Sequence, residues 1–240
     1  MSEILKINNL WGGYKEGVDI LRGISMEVQQ GEAVGIIGLN GSGKSTFGKV
    51  IMNMVPFRKG EIFFDGEDIT SLTTSQLSRR GISFMQQGGK VFSSLSVFDN
   101  LQLAAQGNNS QRSMANSQLS DIIPLLKCPQ KELQHLIADK LSGGMKHQLS
   151  LAMALATQPN LVILDEPSAG LSPKAVDRMY EMLREARTRF GMAIILIEQN
   201  IAKAVEFCDR SLLMQQGAIN TKGLMDIKNI DNIMFNRIGW

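Results

Sequence analysis

The stretch "GLNGSGKST", Gly38–Thr46, satisfies the spacing G-x-x-x-x-G-K-[ST] between a run with strand character, "EAVGIIGL", and one with helical character, "KSTFGKVIMNMV". Glycines in that setting let backbone N–H groups wrap phosphate oxygens. Lys44 can reach the β and γ oxygens, and the Ser45 hydroxyl can bind Mg²⁺. A second stretch, "LVILDE", ends an apolar run on two carboxylates, Asp165 and Glu166. Asp165 would emerge at the C-terminal end of a buried strand, where ligands of open α/β sheets gather, and could hold Mg²⁺ directly or through water. Glu166 points elsewhere and can accept a proton from water attacking a γ-phosphate. Together the two stretches describe a nucleoside triphosphatase without saying which kind.

A third stretch, "LSGGMKHQLSLAMAL", runs Ser142, Gly143 and Gly144 into a helix with Met145, Leu149, Met153 and Ala156 at helical spacing. The first N–H groups of a helix have no partner inside it, so this is a second anion-binding end. One chain then carries two sites for phosphate, and the second needs a reason.

The elements that must position these groups alternate between strand and helix. "EILKINNLWGGY" and "LRGISMEVQQGE" read as short antiparallel strands, and "KGEIFFDGEDI" as a strand turning at Asp65-Gly66. "NLVILDE" and "GMAIILIEQ" read as buried strands, "PKAVDRMYEMLREARTRF" as a helix opening at Pro173, and "SLLMQQGAI" as an edge strand. "SVFDNLQLAAQ" and "QLSDIIPLLK" are helical, interrupted by the polar "GNNSQRSMANS", with local breaks at Pro124 and Pro129. The expected fold is α/β: a mostly parallel sheet with flanking helices, an antiparallel β edge layer and a helical subdomain.

The 240 residues carry a formal net charge of +2, too small to argue for nucleic acid. Cys128 and Cys208 lack metal-ligand spacing and read as reduced thiols. The N-terminus has no secretory pattern, and runs such as "AIILI" fall far short of the roughly 20 residues that span a bilayer. A membrane role would be peripheral.

With "LSGGM" shortly before "LVILDEPSAGLSP", the chain resembles the ATP-binding cassette (ABC) ATPases along essentially its whole length. The resemblance implies one ABC ATPase domain over 1–240, with 1–95 and 155–240 as catalytic core and about 96–154 as the helical subdomain. It makes Gly38, Asn40, Gly41 and Ser42, then Gly43, Lys44, Ser45 and Thr46, the nucleotide-binding loop. It matches Tyr14 to the aromatic that stacks on adenine and Gln87 to the glutamine that senses Mg²⁺ and the attacking water. Val91 and Phe92, just beyond, would lie near the helical subdomain. In that family two cassettes pair head to tail, so Ser142, Gly143 and Gly144 would act in trans on ATP held by a partner. That answers the question of the second phosphate site.

Two departures stand out. Met145 replaces the usual glutamine or glutamate, and Gln199 in "ILIEQN" replaces a common histidine. Glutamine cannot become cationic, but its amide can donate to a γ-phosphate oxygen. The two histidines, His135 and His147, read as solvent-facing. "EQN" together with "QGGKVFSSLSVFDNL" and "GLSP" resembles LivF-type cassettes of branched-chain amino acid importers and their amide and urea relatives.

The resemblance therefore implies a cytoplasmic motor subunit on the inner membrane face, using ATP and Mg²⁺. Its partners would be a second cassette (a copy or a paralogue), separate transmembrane permease subunits and, indirectly, a solute-binding protein. A cassette of another transporter is the alternative, followed by a non-transport ABC ATPase. A free-standing P-loop kinase or GTPase has no use for "LSGGM". The tail "KGLMDIKNIDNIMFNRIGW" is open to three readings: packing on the core, touching a partner or simply ending the chain.

Overall fold

The computed structural model describes residues 2–106, 119–126 and 130–220. Its strands are β1 (Glu3–Gly13), β2 (Leu21–Gln29), β3 (Ala33–Ile37), β4 (Phe57–Phe64), β5 (Glu67–Asp68), β6 (Ile82–Met85), β7 (Leu161–Asp165), β8 (Ala193–Glu198), β9 (Arg210–Gln215) and β10 (Ala218–Asn220). The main helices are α1 (Lys44–Ile51), α2 (Thr74–Arg79), α3 (Val97–Gln106), α4 (Gly143–Leu155), α5 (Pro173–Phe190) and α6 (Ile201–Phe207). A sheet ordered β2-β1-β4-β5 is antiparallel throughout. A second sheet, ordered β10-β9-β3-β8-β7-β6, is parallel except where β10 returns against β9.

Every residue of β3, β7 and β8 is buried, as expected of central strands covered on both faces. Because side chains alternate across a strand, the parallel sheet divides two cores. Val162, Leu164, Ile194 and Leu196 join the core beneath α4 and α5. Leu161, Ile163, Ile195 and Ile197 face Phe47, Val50 and Ile51 of α1 together with Leu5, Ile7 and Ile24 of the antiparallel sheet. Thus α1 is held between the two sheets, against β7 and β8 on one side and β1 on the other. The phosphate loop feeding α1 inherits that rigidity.

Helix α4 packs on α3, on α5 and on β6, so the "LSGGM" stretch is carried on a helix anchored beside the parallel sheet. Pro173 opens α5 and Gly191, at φ 62°, closes it in the left-handed conformation.

Several expectations need correction. "SLLMQQGAI" is not one edge strand: β9 lies inside the sheet next to β3, and β10 forms the edge after the turn at Gln216-Gly217. Helix α1 ends at Ile51, short of Val55. In "QLSDIIPLLK" the last described turn, Ile123–Leu126, is 3-10, with Pro124 inside it. The sequence reading also passed over β6, α2 and α6. "GNNSQRSMANS", Cys128, Pro129 and the tail lie outside the described residues. Among those described, no helix is long and apolar enough to cross a membrane.

Candidate functional site

Gly43 caps α1 at φ 104°, a left-handed geometry strained for any other residue, and no side chain caps the helix. The donors of its first turn therefore face the loop. Lys44, only 4% exposed, donates from Nζ to the carbonyls of Gly38 at 2.9 Å and Leu39 at 3.0 Å. Its ammonium also stands 3.7 Å from Oε1 of Glu166. The Ser42 hydroxyl is buried with no hydrogen-bond partner among the described residues, an orphan polar group inside the cradle.

Opposite the loop, the Ser45 hydroxyl donates to Oδ1 of Asp165 at 2.9 Å. Burial pushes the Asp165 carboxyl above the ordinary range; the Ser45 hydrogen bond opposes this and the neighbouring Glu166 charge adds to it. A hydroxyl and a desolvated carboxylate in contact form a hard-oxygen pair of the kind Mg²⁺ takes. Both this pair and the orphan Ser42 hydroxyl fit a loop built to hold nucleotide phosphate with its cation.

Glu166 turns away from Asp165 through a φ of 46°, while its N–H donates to the Ile197 carbonyl at 2.9 Å. A left-handed conformation at a residue with a Cβ costs about 1–2 kcal/mol. What it achieves is divergence: one carboxylate faces Ser45, the next faces Lys44 and Gln87. Gln87 Nε2 donates to Glu166 Oε2 at 2.9 Å. These groups line an open cleft of about 560 Å³ with Asn40, Gly41, Gly43, Thr46 and Gln199. A smaller adjoining cleft of about 320 Å³ shares Glu166 and Gln199.

Other anticipated residues stand apart from this cleft. Tyr14 does not line it; its half-exposed ring lies 6.0 Å from Lys49 Nζ of α1. Ser142, Gly143 and Gly144 do not line it either. The Ser142 hydroxyl caps α4 by accepting from the Met145 N–H at 3.3 Å. A Cβ on Gly143 would meet nothing within 4 Å, and Met145 is 43% exposed. Ser142 and Gly143 are exposed, while a Cβ on Gly144 would fall 3.0 Å from that of Ala175 on α5, so the helix end faces outward.

Three buried polar residues escaped the sequence reading. Glu198 accepts from the Ser168 N–H and the Tyr180 hydroxyl, both at 3.2 Å, and from the N–H groups of Gln199 at 3.2 Å and Asn200 at 3.4 Å. Burial pushes its carboxyl upward despite these donors. It thereby ties the "PSAGLS" segment to Gln199; its signal was an acid ending an apolar strand. Asn100, fully buried, clamps Phe92 by accepting from its N–H at 2.8 Å and donating to its carbonyl at 3.0 Å. Val91 packs against the core beneath α3 and α4. His147, expected to face solvent, is buried with Nδ1 3.0 Å from the Pro167 carbonyl. Only His135 is exposed as expected. The missed signal was helical spacing, since His147, Ser150, Leu151 and Ala154 share the buried face of α4.

Residues 21–169 match the family pattern described as ABC transporter. The probable branched-chain amino acid transport ATP-binding protein LivF of Archaeoglobus fulgidus is 32% identical over 221 residues, covering 92% of each chain. The lipopolysaccharide export system ATP-binding protein LptB of Escherichia coli is 31% identical over 226 residues, covering 91% of this chain and 90% of that one. Among solved structures, the ADP conformation of an ATP-binding cassette of an ABC transporter superposes with a TM-score of 0.80 at 28% identity, over 96% of this chain and 95% of that one. With its phosphate loop, its paired carboxylates and these matches, the chain belongs to the ABC transporter family as an ATP-binding cassette, an ATPase.

Proposed function

We propose that this cassette is the ATP-hydrolysing motor subunit of a membrane importer for branched-chain amino acids or related small amides. The reading rests above all on one arrangement: Lys44, Ser45, Gln87 and Glu166 line a single cleft, and Asp165 stands behind it, bonded to the Ser45 hydroxyl. Lys44 and the loop from Gly38 to Thr46 would hold the β and γ phosphates, with Tyr14 on the adenine. Ser45, Asp165 and Gln87 are the oxygen donors for Mg²⁺, which when bound neutralises charge on the phosphate oxygens. Glu166 accepts the proton of the attacking water as the new P–O bond forms and the bond to ADP breaks. Gln87 orients that water, and Gln199 donates to a γ-phosphate oxygen.

The outward-facing end of α4 supports a site completed by a second cassette, either a copy or a paralogue. Ser142, Gly143 and Gly144 of one subunit would close over nucleotide held by the other. Residues about 96–154 would form the helical subdomain that meets separate permease subunits on the inner face of the membrane. Nucleotide-driven closing and opening of the pair would then drive alternating access, with a solute-binding protein delivering substrate.

The strings "ILIEQN" and "QGGKVFSSLSVFDNL" and the similarity to the Archaeoglobus protein favour import of branched-chain amino acids. The nearly equal identity to LptB favours a second reading, a cassette serving export of a different solute. The assembled transporter in proteoliposomes distinguishes them. Import predicts ATP-dependent accumulation of labelled leucine, isoleucine or valine in the presence of the cognate binding protein. ATP turnover without uptake of any of the three, or of labelled urea or a small aliphatic amide, would overturn it.

A further inference from the structure

We propose that His147 is a positioning residue that couples the tilt of α4 to the alignment of Gln87 and Glu166. The inference rests on the reading that these two residues act on nucleotide. A carbonyl oxygen only accepts hydrogen bonds, so the 3.0 Å contact with Pro167 requires a hydrogen on His147 Nδ1. Pro167 directly follows Glu166, and the Ser168 N–H on the same peptide as that carbonyl is held by Glu198 at 3.2 Å. The other face of the contact is Gly89, two residues beyond Gln87. Gly89 adopts φ 59°, and a Cβ there would fall 2.4 Å from His147 Cδ2. The imidazole is therefore pressed against bare backbone on one side and hydrogen-bonded on the other.

These contacts close a circuit. His147 holds Pro167; Pro167 is bonded to Glu166; Glu166 accepts from Gln87; and the chain from Gln87 returns through Gly89 to His147. His147 sits five positions after Ser142, about 7.5 Å along the helix axis at 1.5 Å per residue. Any tilt of α4 that moves the Ser142 end also moves the imidazole, and with it both halves of the Gln87–Glu166 pair. The end of α4 and the paired residues thus share one mechanical hinge point. A displacement near 1 Å at such a pair can cost 10²-fold in rate.

The test compares His147→Leu, which fills the space without a donor, with His147→Asn, whose amide N–H can replace Nδ1–H. His147→Leu should lower kcat for ATP hydrolysis about 10- to 100-fold while KM and binding of a non-hydrolysable ATP analogue change less than about twofold. His147→Asn should recover most of that loss. Gly89→Ala should also lower kcat, both through this contact and through the left-handed φ of 59°, which an alanine adopts only with strain. Wild-type kcat in His147→Leu would overturn the proposal, as would equal losses in the Leu and Asn variants. If Glu166→Gln left hydrolysis intact, the underlying site reading would fail instead, so the two failures are distinguishable.

Discussion

Gln87 and Glu166 stand 79 positions apart in the chain, yet the amide Nε2 of one donates to the carboxylate Oε2 of the other at 2.9 Å. The second oxygen of Glu166 faces the Lys44 ammonium at 3.7 Å. One carboxylate thus joins three segments: the first residue of α1, the segment after β6 and the residue that follows β7. Its orientation depends on the left-handed turn at Glu166 itself.

Glu166→Gln should slow steady-state phosphate release by about 10²- to 10⁴-fold, the usual contribution of a general base. ATP binding should persist, and an ATP-bound dimer should accumulate on size exclusion. Undiminished hydrolysis would show that another group takes the proton.

Gln199→Ala should reduce turnover less than Glu166→Gln, because a neutral amide supplies one hydrogen bond where the carboxylate supplies the base. Parallel phosphate-release assays on the two variants decide this. The opposite ranking would transfer the main chemical role to Gln199.

Burial, followed by the nearby charge of Asp209, pushes the Cys208 thiol up to about 12. At pH 8 its thiolate fraction is about 10⁻⁴, so alkylation in the native protein should run about 10³-fold slower than for an ordinary cysteine. The rate should rise about tenfold per pH unit, since only the thiolate reacts. Iodoacetamide labelling of a Cys128→Ser background, followed by mass spectrometry, measures it. Labelling as fast as in denaturant would contradict the burial.

Much of the nucleotide cleft was legible because its chemistry is local. Lys44 and Ser45 belong to one contiguous motif, and Asp165 and Glu166 end a run whose unbroken hydrophobicity reports burial on both faces. What stayed hidden depends on distant pairing. The four residues of β6 carry Ser83 and become a strand through their register with β7. The "SLLMQQGAI" stretch contains the hairpin turn at Gln216-Gly217, but its first half is made central by β3, and no local pattern reports that. His147 and Glu198 were misread or passed over because a polar residue in a helix or at a strand end suggests solvent. Burial and hydrogen bonds to Pro167, Ser168 and Tyr180 show the contrary.

The account turns on whether the outward-facing Ser142 end of α4 completes a neighbour's site. Ser142→Arg and Lys44→Ala each spoil a different half of that composite, so each variant alone should hydrolyse almost no ATP. Mixed in equal amounts, half the dimers would be mixed, each with one intact site of two, restoring about a quarter of the wild-type rate. The decisive measurement is phosphate release from that mixture beside the separate variants. Recovery near a quarter is the predicted result; full activity in Ser142→Arg alone, or none in the mixture, would contradict it.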